Sequence, residues 1–514
     1  MKHDHRQFLP VLPLAVMLGA GICLIESADE LVARDMQFPE HVVRAWQAAG
    51  ADVGWLTRDK HSGYAYFDPV KRADRSDTVP AFRFRVWNQT ALAQLPDPGI
   101  AFGLDLARCA VGDAELKELA RFSNLTSLNL SGTKITEAGL KELAALKNLT
   151  SLSIRGIEIT DTGLKNLAAL KNLTSIWLAT TQITDLGLKE IAALPQLAFL
   201  ALEDCTITDA GLRELAPLRK LTELRLCKIP ITDVGLKQLA RLEQLRVLDL
   251  RETQITDAGL KHLAALKNLT ALHLTFTKVT DAGLKELAVL PQLSFLNLMG
   301  LPITDAGLRE LATFPSLTAF DLTGTDITNA GLRELAPLKN LTELNLWNTQ
   351  ITDAGLSELA VLPQLKVLGL ASLRITDRGL KKLAALKNLT GLHLPGTEIT
   401  DFGLKELASL SKLTVLNLGA TNITDAGLKE LVALKNLTEL YLDSTAITDA
   451  GLKELVALKK LTVLHLPNTR ITDAGLKELA SLKNLALLDV SRTKTTGQGV
   501  AALRTALPRC LIVP

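Results

Sequence analysis

Aromatic residues make up only 4% of this 514-residue chain, with five tryptophans, three tyrosines and thirteen phenylalanines. A conventional globular domain of this length would bury many more, so the core must be built from something else. Cysteine is equally sparse. Cys23, Cys109, Cys205, Cys227 and Cys510 show no CxxC pair and no paired spacing, which excludes a disulfide framework and a zinc-ribbon site. Net charge is nearly absent too, because 57 basic side chains oppose 55 acidic ones without a basic run. Nucleic-acid binding therefore lacks its electrostatic footprint.

What the chain does have is leucine at fixed intervals. From Ala101 to Pro508 a unit of 24 residues recurs seventeen times without insertion or deletion, on the template LxxLxLxxTxITDxGLxxLAxLxx. In the unit 125–148, positions 1, 4 and 6 are Leu125, Leu128 and Leu130, the near-alternation of a short strand. Positions 16, 19, 20 and 22 (Leu140, Leu143, Ala144, Leu146) follow at helical spacing, with Thr136 and Glu137 as N-cap and acidic first turn. One unit alone cannot offset its ordering entropy. Stacked neighbours supply the missing partner, and buried leucines contribute roughly 1.5 to 3 kcal/mol each.

Position 15 is glycine in every unit but the first, where Glu115 stands. Because glycine weakens a helix by about 1 kcal/mol relative to alanine, the position must either approach the neighbouring backbone closely or require φ > 0. Asp at position 13 precedes Lys at 17 by four residues, as in Asp257 and Lys261, the favourable order for an outer-face pair.

This template resembles the leucine-rich repeat, in the ITDxGLxxL subtype of F-box substrate receptors and bacterial GALA-type proteins, over about four fifths of the chain. The resemblance implies an α/β solenoid with a parallel β-sheet on the concave face and short helices on the convex face, and a family that binds other proteins through that sheet. Position 9, often Cys or Asn in relatives, is mostly Thr here (Thr133, Thr181, Thr253), so a hydroxyl is expected to satisfy loop backbone. No F-box-like helical segment is evident before the repeats, which opposes ubiquitin-ligase assembly.

The ends differ in composition. Residues 1–28 run apolar from Phe8 to Ile25 after Lys2 and Arg6, the pattern of an export signal or of an uncleaved membrane anchor through residues 8–25. Ile22 before Cys23 argues against lipoprotein attachment. Residues 29–100 hold Trp46, Trp55, Tyr64, Tyr66, Phe67, Phe82, Phe84 and Trp87, and read as a small α/β cap over the first repeat. A helix is expected over 40–49, ended by Gly50, with strands near 63–67 and 81–87. Its segment VVRAWQAAGADV resembles short lead-ins to bacterial repeats of this subtype. Residues 101–508 are the repeats, and 509–514 form a carboxyl-terminal edge with a strand-like segment at 510–513.

Strand positions 3, 5 and 7 should project from the concave sheet, and they are the only extensive set that varies strongly along the array. Trp177, Phe199, Phe295, Met299 and Trp347 are large apolar residues at these positions, where a solvent-facing sheet gives them no folding role. Between them lies a charged patch of Glu203, Glu223, Arg225, Asp249 and Arg251. Repeats 4 to 11 are thus the expected partner-binding region; cross-strand stacking is the alternative. Glu439, Tyr441 and Asp443 form a second candidate. His273, His393 and His465 share position 5 but lie at least three repeats apart, too far for one metal, and read as solvated. No metal, cofactor or catalytic constellation is expected. Asn-Leu-Thr at Asn148, Asn172, Asn268, Asn340, Asn388 and Asn436 formally matches a glycosylation acceptor but arises from the template; Asn88 is isolated.

The sequence therefore predicts a non-enzymatic, monomeric scaffold, exported or associated with the cell envelope, that holds another protein or a glycan on its concave face. The alternatives are an enzyme inhibitor or effector-like protein and an F-box-like substrate receptor for ubiquitin ligation.

Overall fold

The computed structural model describes residues 38–58, 65–68, 78–87 and 92–514. Among them no helix is long and apolar enough to cross a membrane; the apolar run 8–25, Cys23 and Asn88 lie outside the described residues.

Each repeat contributes one strand of three to five residues, beginning with β4 (Phe102–Asp105) and β5 (Leu125–Asn129). Each strand pairs in parallel with the next, leucine opposite leucine, as in Leu128↔Leu152 and Leu248↔Leu272. With the amino-terminal strands the sheet reaches 21 members and stays open. The template leucines of all repeats form one continuous apolar core. Strands about 4.8 Å apart cannot keep step with helices about 10 Å wide, so the stack bends with the sheet inside. Short convex segments limit that mismatch: some repeats carry a seven-residue α-helix such as Asp233–Leu239, others a 3-10 segment such as Gly211–Leu215 or Gly331–Leu335. In the last two, Pro217 and Pro337 directly follow the αR residue that ends the segment.

The joints are held by position 13. Asp161 accepts from Thr184 N at 2.8 Å and from its hydroxyl at 2.5 Å, and an equivalent clamp stands at all sixteen joints between repeats. The same Thr hydroxyl caps its own helix by accepting from Leu186 N. Asp257 accordingly gives both oxygens to Thr280, at 2.7 Å each, and forms no ion pair with Lys261; the expected outer-face pairing is replaced by a bond between units.

The clamp explains glycine at position 15. A Cβ on Gly235 would lie 2.4 Å from Asp209 Oδ1 and 3.0 Å from Leu212 Cδ1, so close approach is the cause and the approaching group is the clamping side chain. Positive φ falls elsewhere, at position 8 of every repeat, including Thr180 (55°), Glu252 (58°) and Phe276 (55°). The left-handed residue turns the chain off the strand while its N–H still reaches the next unit, as Thr180 N does to Glu203 O at 2.7 Å. Such a conformation costs a non-glycine residue roughly 1–2 kcal/mol, and the repeated hydrogen bond offsets it.

Other template polar groups also stitch units together. The position 9 hydroxyl of Thr133 donates to Leu130 O at 2.6 Å, as expected for a loop-satisfying group. Asn148 Nδ2 donates to Ser123 O and Thr150 Oγ1 to Thr126 O, each in the preceding unit, which gives the Asn-Leu-Thr signature a structural role.

At the amino-terminal end, helix α1 (Glu40–Ala48) precedes β1 (Ala51–Arg58), β2 (Ala65–Asp68) and β3 (Val79–Phe84). The helix matches expectation; β1, directly after Gly50, was not expected, yet it is central, antiparallel to both β2 and β3. β3 then pairs in parallel with β4 of the first repeat. Trp46, fully buried, stacks on Phe82 at 4.2 Å and meets Phe102 and Phe122 of repeat 1. Its Nε1 donates to Pro96 O at 3.0 Å. At the other end β21 (Leu511–Val513) pairs with the strand of repeat 17, and Arg504 donates to Ile512 O at 3.0 Å from the outer side.

Candidate functional site

Alternation along each short strand sends positions 4 and 6 into the core and positions 3, 5 and 7 to the concave face. The eight sequence-predicted contact residues all sit at such positions, but not in one environment. Trp177 and Phe199, in repeats 4 and 5, are buried and stack on one another at 4.5 Å, with Ala201 beside them. The expectation that they stand in solvent is therefore corrected: the indole and phenyl rings cover each other as a cross-strand pair.

The charged patch is likewise internally matched. Arg225 has no exposed surface and donates to Glu223 Oε1 through Nε (2.9 Å) and Nη2 (2.6 Å), with Asp249 Oδ2 at 3.6 Å from Nη1. Arg251, about one-third exposed, closes the far side of Asp249 through Nη2 at 2.6 Å. Glu203, also buried, faces Arg155 at 3.6 Å. Burial raises the Asp249 carboxyl, but Arg251, His273 and Arg225 outweigh it and hold it below the ordinary value. Guanidinium and carboxylate alternate here, so each desolvated charge meets its opposite. Cys227 is buried beside them and its thiol is pushed up to about 12 by that burial. Cys109 and Cys205 are buried at position 9, as expected, their thiols facing Phe84 O and Leu178 O.

Phe295, Met299 and Trp347 are half-buried and keep part of their surface free. Phe295 leans on His273 at 5.1 Å. Trp347 extends over repeat 12, where a Cβ on Gly369 would lie 2.3 Å from its Nε1, and meets His393 edge-on at 6.5 Å. Its Nε1 is buried and has no hydrogen-bond partner among the described residues. A donor in that state costs about 1–3 kcal/mol.

The histidines are not the solvated residues the spacing implied. His273 is buried, and burial holds His393 and His465 below the ordinary imidazole value, for the latter against the pull of Asp489 and Asp443. Around His465 the second candidate cluster is assembled: Tyr441 stacks on it at 4.7 Å and donates to Glu439 Oε2 at 2.8 Å, while Asp489 Oδ2 lies 3.6 Å from its Nδ1. Asp443 covers Gly419, and burial with the neighbouring Asp489 raises its carboxyl. Among the described residues no group of three or more His, Cys, Asp or Glu is placed to hold a metal ion.

Family models for the leucine rich repeat match residues 219–279, and also 123–144, 145–168, 315–336, 338–360, 409–432, 433–456 and 457–480. The chain belongs to the leucine-rich repeat family. Members of this family are typically binding scaffolds without catalytic activity. Solved structures similar to this leucine-rich repeat chain include an internalin of Listeria monocytogenes, 26% identical over 73% of this chain and 88% of that one, with a TM-score of 0.35. A leucine-rich repeat protein of Leptospira interrogans is 25% identical over 83% and 99%, with a TM-score of 0.42. A second Listeria monocytogenes protein, internalin C2, is 30% identical over 41% and 84%, with a TM-score of 0.32. No curated protein sequence matches the chain.

Proposed function

We propose that this leucine-rich repeat protein is a non-enzymatic scaffold that holds another protein on its concave face, with Phe295, Met299 and Trp347 as contact anchors. The observation that supports this reading is that joints, core and caps repeat along the array, whereas strand positions 3, 5 and 7 vary. Variation on a rigid repeated frame is how solenoids present a specific surface. Half-buried aromatic and methionine side chains on that surface are the residues that interfaces use as anchors. Trp177 and Phe199 serve the frame instead, and Glu203, Arg225 and Arg251 shape the face beside them. The amino-terminal segment fits delivery to the cell envelope or beyond.

Photocrosslinking from Phe295 and Met299 in cells, followed by mass spectrometry, should recover one protein in stoichiometric yield. Trp347→Ala should weaken its binding by about 2 kcal/mol or more, measured by titration calorimetry, with circular dichroism unchanged. Crosslinks that arise only from convex positions would refute the reading.

A further inference from the structure

The concave positions divide by charge. In repeats 1 to 7 they carry four carboxylates and three arginines; in repeats 8 to 17 they carry five carboxylates, Asp321, Glu343, Glu439, Asp443 and Asp489, and no lysine or arginine. His393 and His465 do not supply the missing cations, since burial favours their neutral form. Asp321 accepts from the backbone N–H and hydroxyl of Thr323 and from the Asn345 side chain, and Glu343 stands exposed.

The same stretch carries Trp347, whose ring keeps part of its surface free. Trp347 leans forward over Gly369 and Asp443 leans back over Gly419, so the two close on the span between them from opposite ends. The floor of that span is mostly small or apolar, with Val367, Gly391 and Val415 beside His393 and Asn417. An occupant must bring positive charge for the carboxylates and aliphatic surface for the Trp347 ring and the floor.

We propose that repeats 10 to 17 receive an extended, lysine- or arginine-bearing segment of a protein partner. The aliphatic stems of such a segment lie along the Trp347 ring, Val367 and Val415, and its cationic heads reach Asp321, Glu343, Asp443 and Asp489. Charge complementarity of this kind sets specificity and association rate. The proposal rests on the concave-face reading above and names the chemistry of its partner.

Panning a random peptide library against the full chain tests it. Selected peptides should be enriched in lysine and arginine, should weaken with added salt, and should bind about tenfold or more weakly to the D321N/E343Q/D443N/D489N variant. A Glu343→Lys variant should instead prefer the same peptides with glutamate in place of lysine, a gain that misfolding cannot mimic. Peptides without basic enrichment whose binding is blocked by Val367→Trp would overturn the charge proposal and leave the concave-face reading standing. Absence of binders, or binding indifferent to Val367→Trp, would overturn both.

Discussion

Repeats 3 to 7 and repeats 10 to 17 share one backbone and differ in what their strands hold toward the concavity. In the first group the large side chains answer each other: Trp177 meets Phe199, and Glu223, Arg225, Asp249 and Arg251 alternate in sign. In the second Trp347 and Asp443 lean over glycines, Tyr441 pairs with Glu439 and His465, and the strands carry carboxylates but no arginine or lysine. A repeat array can thus spend the same positions on cohesion in one place and keep them open for contact in another. The leucine template does not distinguish the two.

The sharpest way to break the comparison is to remove a charge from each group. Arg225→Met leaves Glu223 and Asp249 buried beside a neutral side chain and should destabilise the protein by about 3–5 kcal/mol, read from urea denaturation. Glu343→Gln, on the exposed side, should stay within about 0.5 kcal/mol. Equal losses would erase the distinction.

A second comparison concerns the two tryptophans. Gly369→Ala places a methyl group where Trp347 Nε1 and Asn345 Oδ1 now lie, at 2.3 and 2.5 Å. The indole must move, with a loss of about 1–3 kcal/mol and a red shift of tryptophan emission. At the corresponding position of repeat 5, Ala201 already carries a Cβ packed with Trp177 and Phe199, so Ala201→Gly should leave emission unshifted.

The smallest effect is a dependence on pH. His393 is held below the ordinary imidazole value by burial, so the unfolded chain takes up its proton first as pH falls. The corresponding stability is fully present above about pH 6.5 and is lost as pH drops through the lower folded value. His393→Gln should therefore flatten the acid side of a plot of melting temperature against pH. An unchanged slope would show that the imidazole titrates freely.

The template made the sheet, the helices and the core legible, because each rests on apolar spacing that repeats seventeen times. The environment of the concave residues was not legible in the same way. Whether Trp177 is covered depends on Phe199, 22 positions further on in the next unit, and reading one unit at a time hides that pairing. The clamp was hidden for a related reason: Thr at 12 and Asp at 13 look like a local cap, yet Asp161 bonds to Thr184 in the following repeat. β1 was missed because its run ADVGWLTR lacks clean alternation, being covered on both faces near the cap. The left-handed residues at position 8 leave only a faint mark, five glycines and a few Asn, Asp and Ser among seventeen varied residues.

The clamps between repeats have one further consequence. Since the joints share one pattern, an aspartate on one side and a threonine on the other with Glu137 and Asn329 replacing the aspartate at two of them, a whole unit removed in frame leaves two compatible surfaces, and Asp209 would meet Thr256 as readily as it now meets Thr232. Gene-level slippage by 72 nucleotides, three per residue of a 24-residue unit, therefore lengthens or shortens the molecule without designing a new seam. Each such event would slide the anchors of one half along the other by a single strand spacing, about 4.8 Å, and so retune the reach of the binding face while the joinery stays the same.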